Sequence, residues 1–207
     1  MGTYIPGARN KLAIFQTKKL YIQQINVSKL LGVWIEEDLT WSRNTTEICK
    51  KSFSRTSMLT KLKYVGVETE DLLNIYILFI RSCTEYCSVV FHSRLTVEQH
   101  ASLERIQKTC LRIILNENYV SYEAALEMTG LETLYSRREQ RCLDFSLKCL
   151  KHETNKRLFP INPKDSESAS LREKELFCVN YAYTETYRNS AIPYCQRKLN
   201  KHFNDKQ

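Results

Sequence analysis

Glycine and proline are scarce in this chain, five and four among 207 residues. All-β folds need many tight turns, and turns draw heavily on these two residues, so the scarcity argues against a sandwich or barrel and favours helices. Long apolar runs are also missing. The longest, Leu72 to Ile80, is about half the length of a membrane span and is interrupted by Asn74, so no membrane partner is expected. Met1 to Asn10 has no apolar stretch of the kind a secretory signal needs, and an intracellular protein of the cytoplasm or nucleus is expected. In such a compartment Cys49, Cys83, Cys87, Cys110, Cys142, Cys149, Cys178 and Cys195 are expected as free thiols, several at core positions. The glycosylation sequons at Asn26 and Asn44 then carry no meaning, and Pro6 stands where a myristoylation signal wants Ser or Thr.

Catalytic signatures are a further absence. A polymerase or two-metal nuclease needs carboxylates that converge on divalent cations. Asp38, Asp71, Asp144, Asp165 and Asp205 are scattered, and Glu36-Glu37-Asp38 reads as a solvated acidic turn after a strand. No G-x-S-x-G and no phosphate-cradling glycine loop is present. Cys83-x3-Cys87-x4-His92 resembles the first three ligands of a zinc knuckle, but Val97 lies near the place of the fourth. Cys83 and Cys87 lie one turn apart in an apolar helix, and Cys142 and Cys149 seven apart in another, which is how core thiols are spaced. The chain is therefore expected to be no enzyme and to need no metal or cofactor.

What is present is a mainly α pattern with a small N-terminal β element. Leu12 to Phe15, Leu20 to Ile22 and Leu30 to Ile35 are short, aromatic and β-branched, as strands are. From Thr40 the period becomes helical. Trp41, Ile48, Cys49, Ser52, Leu59 and Leu62 mark one face of a helix over Ser42 to Lys63, closed near Gly66. Thr69 caps a second helix whose stretch from Leu72 to Phe91 is apolar nearly all round, which places it at the core. Thr96-Val-Glu-Gln99 is a capping box ahead of Leu103, Ile106, Cys110, Ile113 and Ile114. Ser121 opens a short helix ending at Gly130. Thr133 or Ser136 opens a last long one to about His152, with Cys142, Phe145, Leu147, Cys149 and Leu150 inward. The expected organisation is a β remnant over 1–40, a helical body over 41–159, and a linker and tail over 160–207 with one helix near Leu171 to Val179.

The net charge is +8, from 31 Lys and Arg against 23 Asp and Glu. It is uneven: Trp41 to Gly66 carries six cations and one acid, and Leu131 to Phe159 seven and four, whereas Val67 to Arg94 and Leu95 to Gly130 are each at −2. Basic helices of this kind suit a polyanion such as RNA or DNA, and a solvated helix face suits them equally. Arg137-Arg138 with Arg141 puts guanidinium groups, which bond two phosphate oxygens at once, on one turn.

Several segments, in order, resemble a known family. Lys29-Leu-Leu-Gly32-Val-Trp-Ile-Glu-Glu-Asp38-Leu-Thr-Trp41 is similar to the segment just after the polymerase palm in reverse transcriptases of non-LTR, LINE-type retrotransposons, jockey-like ones above all. Tyr76, Thr84-Glu-Tyr86-Cys-Ser-Val-Val-Phe91, Leu103-Glu-Arg-Ile-Gln107-Lys108, and Ala124 to Arg138 with Gly130-Leu131 continue the likeness. It covers about Leu12 to Pro163, and more weakly Asn189 to Pro193. The family's aromatic-x-D-D turn has no counterpart here. The resemblance implies the last palm strands followed by a thumb-like helical bundle that grips a primer–template duplex by its backbone. It implies that grip at Lys50, Lys51, Arg55 and Lys61 first, and at Arg105, Lys108, Arg112, Arg137, Arg138 and Arg141 second. The expected function is a catalytically incomplete polymerase fragment that binds RNA or DNA. The alternatives are a helical protein-interaction module, joining the missing palm segment or a second copy through exposed strands, and a decayed element product without a role.

Overall fold

A computed structural model of the chain describes residues 15–17, 20–22, 24–162 and 176–205. The fold is mainly helical, with a small antiparallel β element before the helices. β1 (Phe15–Thr17) pairs with β2 (Leu20–Ile22), and β3 (Val27–Leu30) with β4 (Val33–Glu36). The strand expected at Leu12 to Phe15 lies mostly outside the described residues.

The run from Leu30 to Ile35, expected as one strand, turns back on itself at Leu31-Gly32, where φ is 47° and 88°. Two successive positive φ values are what the I′ turn of a two-residue hairpin requires, and glycine adopts one of them without steric cost. Leucine does not, and Leu31 is 83% exposed, so no burial explains it. Its apolar character concealed the turn. Leu31→Asn is expected to stabilise the protein by about 1 kcal/mol, read as a higher urea midpoint. An unchanged midpoint would show that the turn costs the leucine nothing.

α1 (Ser42–Tyr64) has neither glycine nor proline inside it, and Lys61 and Lys63 complement the negative end of its dipole. Val65 and Gly66, at φ 88°, close it as expected. No side chain at the N-cap serves its first turn. Instead the Glu36 carboxylate accepts the Arg43 N–H at 3.1 Å, and Asp38 accepts the Thr40 N–H at 3.1 Å and its hydroxyl at 3.0 Å. The acidic turn thus ties β4 to the start of α1.

The helix expected from Leu72 to Phe91 is divided. α2 (Thr69–Ile75) begins after Glu68, one residue earlier than the expected cap at Thr69. A π-helical stretch, Tyr76–Arg81, leads into α3 (Ser82–Glu85). The backbone then breaks at Tyr86, which is extended, and Cys87, at φ 51°, before α4 (Ser88–Phe91). Leu72, Tyr76, Ile80 and Phe91 are fully buried, but Leu78 and Phe79 are 69% and 55% exposed, so the apolar circumference is only partly covered. Cys87 is exposed rather than a core thiol.

α5 (Val97–Leu115) starts in the expected capping box of Thr96 and Gln99. Its Leu103, Ile106, Cys110 and Ile114 join Val33, Trp41, Leu59, Leu72, Tyr76 and Ile80 in the main core. α6 (Tyr122–Thr129) is capped by Ser121 and closed by Gly130 at φ 64°; α7 (Leu134–Leu150) is capped by Thr133. Buried polar groups lock these helices together. Tyr76 Oη donates to Gln107 Oε1, and Gln107 Nε2 donates to Tyr122 Oη and Glu132 O. Tyr122 Oη in turn donates to Glu104, which also accepts the Leu134 N–H at 3.0 Å. With every member partnered, such a network fixes helix positions that apolar contacts alone leave loose.

The segment expected as linker and tail carries α8 (Glu185–Arg188) and α9 (Ala191–Asn204). α9 lies on α7, and Cys195 and Leu199 form a second core with Cys142, Cys149, Phe159 and Phe177. The helix expected over Leu171 to Val179 is not formed in its described part. Phe177 is bridged to Ile161 and exchanges hydrogen bonds with Asn200, at 2.7 and 2.9 Å, which holds it extended. Among the described residues no helix is long and apolar enough to cross a membrane.

Candidate nucleic-acid interface

Ten cations were singled out in the sequence, and the fold sorts them into two groups. On α1, Lys50, Lys51 and Lys61 are exposed. At 100° per residue, Arg43, Lys50 and Lys61 fall within about 20° of one another, a stripe roughly 27 Å long. Glu47 is the one acid on this face; it pairs with Arg43 at 3.5 Å and Lys50 at 3.3 Å.

α5 lies alongside. Gln99 Nε2 donates to Thr40 O at 2.9 Å, and Cys49 Sγ to Ser102 O at 3.9 Å, so both helices start together and run in the same sense. Arg105 and Arg112 are exposed two turns apart on α5. Arg105 faces α1 closely enough to act on the Cys49 thiol, whose pKa burial raises and the guanidinium opposes. Lys108 sits over the Tyr122 ring at 4.8 Å, and Arg112 over Tyr119 at 5.3 Å. Six cations on neighbouring helices thus remain directed at solvent or laid over half-buried rings.

The other four are engaged within the protein. Arg55 Nη1 donates to Phe79 O in the π-helical stretch and to Cys83 Sγ at 2.9 Å. Arg137 and Arg141 both grip Glu85, Arg141 at 3.1 Å, and Arg81 approaches the same carboxylate at 3.6 Å. Arg138 is fully buried. Its Nη2 lies 3.3 Å from His100 Nδ1, and its Nε and Nη1 have no protein partner. Two of the three guanidinium groups expected to face phosphate, Arg137 and Arg141, thus staple α7 to Glu85 of α3, Arg141 with its side chain still half exposed.

Beside Arg138 lies a ring cluster. His92 packs edge-on against His100, Tyr135 and Tyr194 at 5.2, 5.1 and 5.9 Å. Neither His92 ring nitrogen has a partner. Burial, then Arg138, pushes the His92 pKa down to about 3, and the same causes push His100 down to about 4.

Sequence reasoning overlooked two groups. Glu85 carries three arginines, and only Arg81, four residues before it, is a local mark; Arg137 and Arg141 lie 52 and 56 residues away. Trp34 is flanked by Lys29 at 5.3 Å and Arg43 at 5.0 Å. The Lys29–Trp34 pair is signalled once the Leu31-Gly32 turn is recognised, since these residues face each other across the hairpin. Among the described residues no group of three or more His, Cys, Asp or Glu could hold a metal ion. No protein-family model, curated protein or solved structure matches the chain.

Proposed function

We propose that this chain is the post-palm, thumb-like part of a non-LTR retrotransposon reverse transcriptase, catalytically incomplete, which binds RNA or DNA by its backbone through α1 and α5. The observation that carries this is the pair of adjacent, same-sense helices bearing Lys50, Lys51, Lys61, Arg105, Lys108 and Arg112, opposed on the α1 face by Glu47 alone. Support also comes from the residues behind the resemblance, which meet in space. Glu85 with Arg137, and Tyr76 with Gln107, join the separate motifs into one polar framework. Eight free thiols suit a reducing compartment, cytoplasm or nucleus.

Titration of a single-stranded oligonucleotide at several salt concentrations tests this. Six phosphate contacts give a slope of log K against log salt of about −4. The triple variant Lys50→Glu, Lys51→Glu, Arg105→Glu should bind far more weakly, with a slope nearer −2. Salt-insensitive binding, or none at low salt, would overturn the proposal.

A second reading, a protein-interaction module, is favoured by the exposed Leu78 and Phe79 on the π-helical stretch. Light scattering separates the two: a monomer that binds nucleic acid supports the first, a salt-insensitive oligomer the second.

A further inference from the structure

Trp34 and Tyr86 border a cleft between the β3–β4 hairpin, α1 and α3, with a volume of about 190 Å³. Ligand pockets for drug-sized molecules run to roughly 300 Å³ and more, so this one suits a single planar ring system. Lys29, Lys51 and Glu47 stand at its sides, with Ile48 and Cys83 as apolar walls. The Glu47 charge is already offset by Arg43 and Lys50.

The cleft is built rather than incidental. Tyr86 sits where the helix breaks, and that break carries its hydroxyl across to donate to Leu31 O at 2.7 Å. Gly32 lies beside the ring: a Cβ there would stand in ordinary contact with Tyr86 Cε1, at 3.4 Å. Asn44 also lines the cleft and is only 3% exposed. Its Oδ1 accepts the Trp34 backbone N–H at 3.2 Å, which ties α1 to β4 at the wall of the cleft.

We infer that this cleft receives one nucleobase of a strand held along α1. The base packs beside Trp34 and Tyr86, and Lys29 and Lys51 meet the flanking phosphates. Aromatic side chains bordered by cations are the usual platform for single strands, because every base offers a π face. The position fits, since Lys51 belongs both to the cleft and to the basic surface of α1. This inference rests on the backbone-binding reading and adds a base-dependent component to it.

The test compares oligothymidylate with an abasic deoxyribose-phosphate strand of equal length on the full chain at low salt. Oligothymidylate should bind about tenfold more tightly and quench part of the tryptophan emission, the part from Trp34, since Trp41 is buried. The abasic strand should leave emission unchanged. Trp34→Leu should abolish the preference while retaining abasic-strand binding; if that variant fails to fold, the affinity ratio and quenching of the native protein decide alone. Equal affinity for the two strands, without quenching, overturns the base cleft and leaves backbone binding standing. Failure to bind either strand overturns both.

Discussion

Replacing Glu85 with alanine should destabilise the protein by about 3–5 kcal/mol, a large part of the stability of an ordinary domain. The carboxylate is nearly buried and is shared by Arg81, Arg137 and Arg141. Two of these arginines come from α7 and one from the π-helical stretch, so the variant leaves cations unbalanced at a helix junction. Arg81 suffers most. Its side chain is nearly buried, and desolvation followed by repulsion from Arg137 already lowers its pKa, against the pull of Glu85. Arg141 reaches solvent and should lose little. Urea denaturation followed by circular dichroism measures the effect. A loss below about 1 kcal/mol, the range of a surface pair, would show that the arginines relax into water and that the cluster does not hold α3 to α7.

Acid should destabilise the fold well above the pH at which carboxylates protonate. A histidine is half protonated at about 6.5 in an unfolded chain, whereas His92 in the fold resists protonation down to about 3. Between these values the unfolded state binds a proton that the folded state refuses, so stability is full above the unfolded pKa and falls as pH drops through the interval. The slope from His92 alone is about 1.4 kcal/mol per pH unit, or about 3 kcal/mol by pH 4. His100 acts in the same sense between 6.5 and about 4. Of the charged groups that face His92, Arg138 and Lys198 oppose its protonation and Glu139 favours it. Urea midpoints at pH 7, 5.5 and 4 should decline accordingly, and His92→Leu should flatten the decline. An equally steep decline in that variant would assign acid lability to other groups.

Features written in neighbouring residues were legible in the sequence. The capping box at Thr96 and Gln99, the Ser121 and Thr133 caps, and the closures at Gly66 and Gly130 depend on contacts a few residues apart. The helical faces of α1, α5 and α7 followed from period alone. The Leu31-Gly32 turn was obscured because leucine occupies a position that asparagine usually fills. The break at Tyr86-Cys87 has no glycine or proline to announce it; it accompanies a contact 55 residues away, the Tyr86 hydroxyl on Leu31 O. The cations were the hardest to read. Composition shows where positive charge lies along the chain, but not which arginine turns inward. Arg138 is buried and Arg105 is not, and that difference depends on partners tens of residues away.

The docking of α9 on α7 has a consequence for how the protein is made. Cys142 on α7 and Cys195 on α9 touch across 53 residues of chain. At ribosomal speeds of roughly 5–20 residues per second, α7 emerges about 3 to 10 seconds before its cover does. During that interval the apolar side of α7, with Cys142 and Cys149, lacks the part of its cover that Cys195 and Leu199 supply. A nascent chain stalled between the two helices would present that surface to chaperones, and release of α9 would withdraw it.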